Sequence, residues 1–283
     1  MSILLLFLTV CAGGVQSAFA KKYSQKENCG KYIFYGISTF FALPAFVIQD
    51  GFRFDFTQGV LIYSIIFAAA YCSTLIFQFI SLKNGSISLT VLINSYSLII
   101  PTFYGIIFLH EPFTVSMAVG LALLAVSLYM TVGIKTDKGK INLKWLLCVA
   151  VAFFANGACS TVQKIQQTVY DGRYKGGFMI AALLIVFLVL MLFSFIFEKD
   201  VWVRSVKSGW YLAAPLGIAN SLVNLFVLIL SNTVPASVMF PIISAGGVVT
   251  SSVIGIAFFK EKLSGIQLAG VAVGIISIIF LSI

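Results

Sequence analysis

Charge is scarce in this chain. Acidic and basic side chains make up 10% of its 283 residues, whereas a soluble domain carries about 25%. Histidine occurs once, at His110, and five cysteines show no metal-ligand spacing. Cys11, Cys72, Cys148 and Cys159 lie in apolar runs and Cys29 in a connection, so they read as small buried hydrophobes. No phosphate-cradling loop, H-E-x-x-H pair or nucleophile elbow is present. Those absences argue against an enzyme, and neither a cofactor nor a metal is expected. The apolar segments also lack the dyad alternation of a membrane β-barrel. All nine acids and the basic residues fall in connections or at the ends of apolar runs. An ionisable group at membrane depth would mark a proton or ion relay, and its absence disfavours a carboxylate-driven proton antiporter.

What the chain has is length in apolar runs. Apolar residues reach 60%, with a mean hydropathy of +1.06, and runs of about 20 residues suffice to cross a bilayer core. Ten spans are expected: Ser2–Ala20, Tyr32–Ile48, Gly59–Ser81, Ile87–Leu109, Phe113–Ile134, Leu143–Gln163, Gly177–Phe197, Gly209–Leu230, Ala236–Phe259 and Leu263–Leu281. This is the pattern of an all-α membrane protein, embedded in a lipid bilayer and multi-pass. The first run ends in Ala18-Phe19-Ala20, which imitates a signal-peptide cleavage site. No basic residue precedes it, and the internal repeat gives it a counterpart, so it is expected to stay as a first helix.

Laid over itself at an offset of 150 residues, the chain matches without a gap from Ser81–Met130 to Ser231–Phe280. Identities include Ser81/Ser231, Gly105/Gly255, Glu111/Glu261, Gly120/Gly270 and Ser127/Ser277. Nearer the start, Gly14/Gly157, Ser17/Ser160 and Lys21/Lys164 align in the same way. The polar segment Lys135–Asn142 then separates two five-helix repeats, 1–134 and 143–283. An odd number of helices per repeat forces opposite orientations, so the expected architecture is two inverted five-helix repeats.

Most of the basic residues sit in the first, third, fifth, seventh and ninth connections, which by the positive-inside rule lie in the cytoplasm with both termini outside. The net charge of +9 thus reads as topology and anionic-lipid contact. The short juxtamembrane run Lys135-Thr136-Asp137-Lys138-Gly139-Lys140 gives no reason to expect nucleic acid. Two turns, His110-Glu111-Pro112-Phe113 and Lys260-Glu261-Lys262-Leu263, are short enough to make antiparallel helix hairpins. Pro112 suits the first turn of the fifth helix, and Glu111 and Glu261 would sit at a positive helix N-terminus.

These features together resemble the drug/metabolite transporter (DMT) superfamily, and within it EamA-like transporters. The features are the five-helix repeat and a fourth helix that follows Asn84-Gly85-Ser86 or Val234-Pro235-Ala236. Pro101 lies inside that helix, Gly105 or Gly255 follows, and a Glu closes the hairpin. The resemblance spans essentially the whole chain. Ser251 stands where the first repeat has Pro101, and the resemblance implies cytoplasmic termini, opposite to the basic-residue count. It implies a transporter in the cell membrane, which the basic profile suggests is a bacterial plasma membrane.

The neutral polar residues are not scattered. Tyr71, Thr74 and Gln78 share one face of the third helix. Asn94 and Ser97 lie in the fourth, Asn220 and Asn224 in the eighth, and Ser244 in the ninth. The first helix supplies Gln16 and Ser17, and the sixth supplies Asn156, Ser160 and Gln163. Six helices can aim one polar stripe at a shared substrate path, while the fifth, seventh and tenth read as lipid-facing or packing elements. Each Ser or Thr is also compatible with bonding its own helix. Asn and Gln need more partners, and for them cavity lining and helix packing stay equally open. Lys164 reads as a snorkelling lysine at a helix mouth rather than an anion site. The function expected is a carrier moving a small neutral or zwitterionic small-molecule substrate (an amino acid, sugar or nucleobase-like solute) by alternating access. A drug or organic-cation exporter, or a non-transporting subunit whose stripe only packs helices, remain alternatives. A monomer and a homodimer stay equally open.

Overall fold

A computed structural model describes residues 2–27, 29–52, 55–84, 90, 93–94, 96–132, 143–259 and 264–282. The Lys135–Asn142 segment, Gly85-Ser86 and Glu261 lie outside them. The described residues form α-helix and short connections with no strand. The helices are α1 (Ser2–Ser24), α2 (Lys31–Gln49), α3 (Gln58–Asn84), α4 (Ile99–Phe108), α5 (Val115–Val132), α6 (Leu143–Val169), α7 (Lys175–Phe197), α8 (Trp202–Leu230), α9 (Ala236–Phe259) and α10 (Gly265–Ser282). By length and apolarity 7 of these can cross a membrane, which makes the chain a helical, multi-pass membrane protein. Helices α4, α5 and α10 are shorter apolar elements.

The helix ends follow local chemistry. Thr114 caps α5, its Oγ1 accepting from the Met117 N–H at 3.2 Å. Ser264 begins α10 with a capping box, its Oγ accepting from Gln267 N at 3.3 Å while Gln267 Oε1 accepts from Ser264 N at 2.8 Å. Three expected spans are corrected. The eighth helix begins at Trp202, not Gly209, and its added first turns are held by Ser205, whose Oγ accepts from Gly30 N at 2.7 Å. The sixth helix does not stop at Gln163 but runs to Val169, because Gln166 and Gln167 are buried, with Gln166 Nε2 donating to the Arg173 carbonyl at 3.2 Å and Gln167 Nε2 to Gln166 Oε1. The fourth is not continuous: Ser97 and Leu98 form a turn before α4 begins. Pro101 has no N–H to offer the Ser97 carbonyl, which accepts instead from Ile100 N at 3.1 Å.

Packing runs mostly between the first five helices and the last five. Helix α2 lies against α7 and α8, α3 against α6 and α7, α1 against α8 and α9, α4 against α6 and α9, and α5 against α10. The α5–α10 contact is tied by two reciprocal bonds. Ser127 Oγ donates to Gly270 O at 2.7 Å and Ser277 Oγ donates to Gly120 O at 2.8 Å. A Cβ on Gly120 would lie 2.7 Å from Leu281 Cγ, so glycine sets how closely these helices approach. Helix α7 buries Leu183, Val186 and Leu190 and presents Leu184, Leu188, Leu192 and Phe195 outward. Those exposed residues follow a helical stripe suited to lipid.

Candidate functional site: an amide stripe and a buried ion pair

Helix α6 is the spine of the site. Asn156, Ser160 and Gln163 stand at i, i+4 and i+7 on one face, and the two ends of that face hold different partners. At Gln163, Nε2 donates to Asn224 Oδ1 at 2.8 Å. Asn224 Nδ2 in turn donates to the Asn220 carbonyl at 2.9 Å and to Asn220 Oδ1 at 3.1 Å. Tyr71 lies beside Asn220, so α3 adjoins the point where α6 and α8 are joined by side-chain bonds. Gln163, Asn220 and Asn224 are all buried. At the other end, Asn156 Nδ2 donates to Ser97 Oγ at 2.6 Å, and Ser97 Oγ donates to the Asn94 carbonyl at 2.6 Å. The Asn94 Oδ1 atom is buried without a partner.

The remaining expected residues divide. Thr74 is buried, donates to the Ala70 carbonyl of its own helix at 3.0 Å and touches Cys159. Ser244 lines a cavity of about 50 Å³ with Tyr96, Leu98, Thr102 and Pro241, room for roughly one or two waters. Gln16, Gln78 and Ser160 are half-buried. Ser17 is exposed and donates to its own Gly13 carbonyl at 2.9 Å, so the first helix does not bring it to the stripe. Gly13 and Gly247 stand at the repeat positions of Asn156 and Ser97. A Cβ on either would meet nothing within 4 Å. The α4–α6 contact is thus closed by a side-chain bond, whereas the α1–α9 contact is closed by glycine, since a Cβ on Gly14 would lie 2.9 Å from Ile254 Cδ1 and one on Gly246 2.5 Å from Val10 Cγ2.

One cluster escaped the sequence reading. Lys164 does not snorkel. It lies inside α6 and its Nζ is 3.3 Å from Glu111 Oε1, with side chains only 7% and 11% exposed. The same Nζ donates to the carbonyls of Ser231 at 2.9 Å and Val234 at 3.3 Å, which occupies all three of its protons. Glu111 does not serve α5, whose cap is Thr114. Its carboxylate accepts from Ala236 N at 2.8 Å and Ser237 N at 2.7 Å, capping α9, where the positive helix end favours an anion. His110 takes a left-handed φ of 54°, and the Glu111 N–H returns to Gly105 O at 3.1 Å. A Cβ on Gly105 would lie 2.4 Å from Glu111 Oε2 and 2.8 Å from Ala236 Cβ, so glycine is required there. Burial alone raises the Glu111 pKa, but the Ser237 and Ala236 N–H groups and the Lys164 charge outweigh it and hold it below its ordinary value.

A second carboxylate acts in the same manner. Glu198, just after α7, is buried and accepts from Tyr32 N at 3.0 Å and Ile33 N at 3.1 Å. It thereby caps α2. Asp50, just after α2, lies over the first turn of α7, where a Cβ on Gly176 would sit 2.3 Å from its Oδ1. Glu111 and Glu198, each just after a helix of one half, thus cap a helix start in the other.

No protein-family model and no curated protein sequence matches this chain. Solved structures do. A crystal structure titled only as that of a protein superposes with a TM-score of 0.81, covering 100% of this chain and 98% of its own, at 13% sequence identity. The fold is therefore one already seen in a crystal.

Proposed function

We propose that the chain is a ten-helix carrier of two inverted five-helix repeats, 1–134 and 143–283, that moves a small neutral or zwitterionic metabolite by alternating access. The observation that carries this reading is the exchange symmetry of the contacts. Swapping each helix for its counterpart five places on turns α3–α6 into α8–α1, α2–α8 into α7–α3, and α1–α9 into α6–α4, all of which are contacts of the fold. The reciprocal Ser127–Gly270 and Ser277–Gly120 bonds obey the same swap, as do the Glu198 and Asp50 placements. Two oppositely oriented halves around one site can rock to open alternately on either side.

The amide stripe supplies the site's chemistry. Amides offer donors and acceptors without charge, which suits an amino acid, sugar or nucleobase-like solute better than a multiply charged one. Lys164 adds no free charge, because its protons are taken by Glu111 and two carbonyls. The resemblance to EamA-like transporters of the DMT superfamily points to the same activity, in a cell membrane.

The test is a thermal-stability screen of the purified protein against amino acids, sugars, nucleobases and organic cations, followed by uptake of any hit into proteoliposomes. A ligand near one hundred times its Kd adds about 2.7 kcal/mol to the folded state. A shift from one class that disappears in Asn94→Leu is the expected result. Stabilisation by organic cations alone would favour an exporter of such compounds, and no binding or flux of any class would leave the stripe as helix packing.

A further inference from the structure

Glu111, Lys164 and the first turn of α9 lie where the amide chain would have to open. Gln163 and Lys164 are neighbours on α6, while Asn224 and Ser231 are two turns apart on α8. Parting α6 from α8 to free Gln163 and Asn224 therefore also pulls Lys164 from the Ser231 carbonyl, 2.9 Å away. The α4–α5 turn, the end of α6 and the α8–α9 connection meet at this one point through five polar contacts from a single carboxylate and a single ammonium. Lys164 lies 21 residues into α6, about 32 Å along it at 1.5 Å per residue. That is close to the full depth of a hydrocarbon core, so the cluster stands at one membrane face.

We propose that this cluster is the latch that closes one end of the solute path. The proposal rests on the carrier reading. Closed, the two charges satisfy each other and the exposed backbone groups of α8 and α9, and no water is needed. Half-broken, each would be a buried charge without a partner, which is strongly unfavourable. Fully open, water hydrates both. The intermediate is thus the disfavoured state, and the cluster has two stable arrangements, as a gate requires. Substrate recognition is not its task, since no proton of Lys164 and neither oxygen of Glu111 is left over.

The experiment uses the full chain with its five cysteines replaced by alanine and one reporter, Val227→Cys. Val227 is buried on α8 between Asn224 and Ser231. Labelling by a membrane-impermeant maleimide is followed in sealed vesicles of both orientations. Labelling should be slow in the parent. Glu111→Gln and Lys164→Met should each accelerate it about tenfold or more, from the side of the α4–α5 turn only, while Lys164→Arg stays near the parent. Unchanged labelling in folded variants would overturn the latch, as would an increase from both sides that merely tracks lower thermal stability. Where both neutral variants fail to fold, hydrogen exchange of the unsubstituted protein decides. Joint, early exchange of the end of α6 and the start of α9 supports a latch, and protection equal to that of α5 and α10 overturns it. A protein that moves solute but shows no variant-dependent labelling loses only the latch. A protein that labels as expected but never binds or moves solute loses the carrier reading.

Discussion

At the residue scale, Glu111 shows how far a single position can be read from sequence. Its match to Glu261, and that of Lys21 to Lys164, were visible in the repeat, and so was the companion pair Gly105/Gly255. Sequence gave no sign that the carboxylate would leave its own hairpin to cap α9, because its partners are backbone N–H groups 125 and 126 residues away. The consequence for pH has a definite sign. The folded-state pKa is lowered, so the stabilisation is complete above the unfolded value near about 4.3. It is lost as pH falls through the folded value. Thermal unfolding in detergent should therefore show the unsubstituted protein losing more stability than Glu111→Gln between neutral pH and about pH 3. Parallel curves for the two proteins would remove Glu111 from the acid response.

At the scale of single helices, each described helix overlies an apolar run expected from hydropathy, seven of them long enough to span a bilayer, and ends marked by side-chain caps were found closely. The misses have separate causes. Helix α6 overran its expected end because Gln163, Lys164, Gln166 and Gln167 look like interfacial residues until their buried partners are known. The fourth helix broke at Ser97–Leu98 because a proline inside an apolar run is read equally well as a kink or as a tolerated residue. Helices α5 and α10 were expected to be lipid-facing or packing elements, and their hydroxyls bond across the contact between them. Those two bonds allow a quantitative check. Ser127→Ala and Ser277→Ala should each cost about 0.6 kcal/mol, the average for a side-chain bond between membrane helices. The two costs should match, because the geometry at 2.7 and 2.8 Å is nearly the same. Unfolding titrations in mixed micelles give both values, and a large inequality would argue that the two contacts are not equivalent.

At the scale of the whole molecule, the halves do not behave as two packed domains. Helix α2 finds its main neighbours in α7 and α8, α3 in α6 and α7, and α5 in α10, so the helices of each half are chiefly neighbours of the other half. The cross-half caps by Glu111 and Glu198 follow the same rule. Composition cannot show this, since an apolar face written for another helix looks the same as one written for lipid. The arrangement makes a strong prediction. Expressed alone, residues 1–134 or 143–283 should insert but fail to form a stable, monodisperse species, because each leaves helix faces and N-terminal backbone groups without their partners. Expressed together as separate chains, they should assemble and copurify through a tag on either one, with a melting temperature below that of the intact chain. The cut falls between α5 and α6, where it costs only the tether that raises the effective concentration of one half near the other. Copurification of the pair with neither half stable alone would identify the half-to-half contact as the folding core. Two halves that each purify as stable, folded units would mean that contacts within each five-helix set suffice, and that the exchange symmetry reflects docking of finished domains.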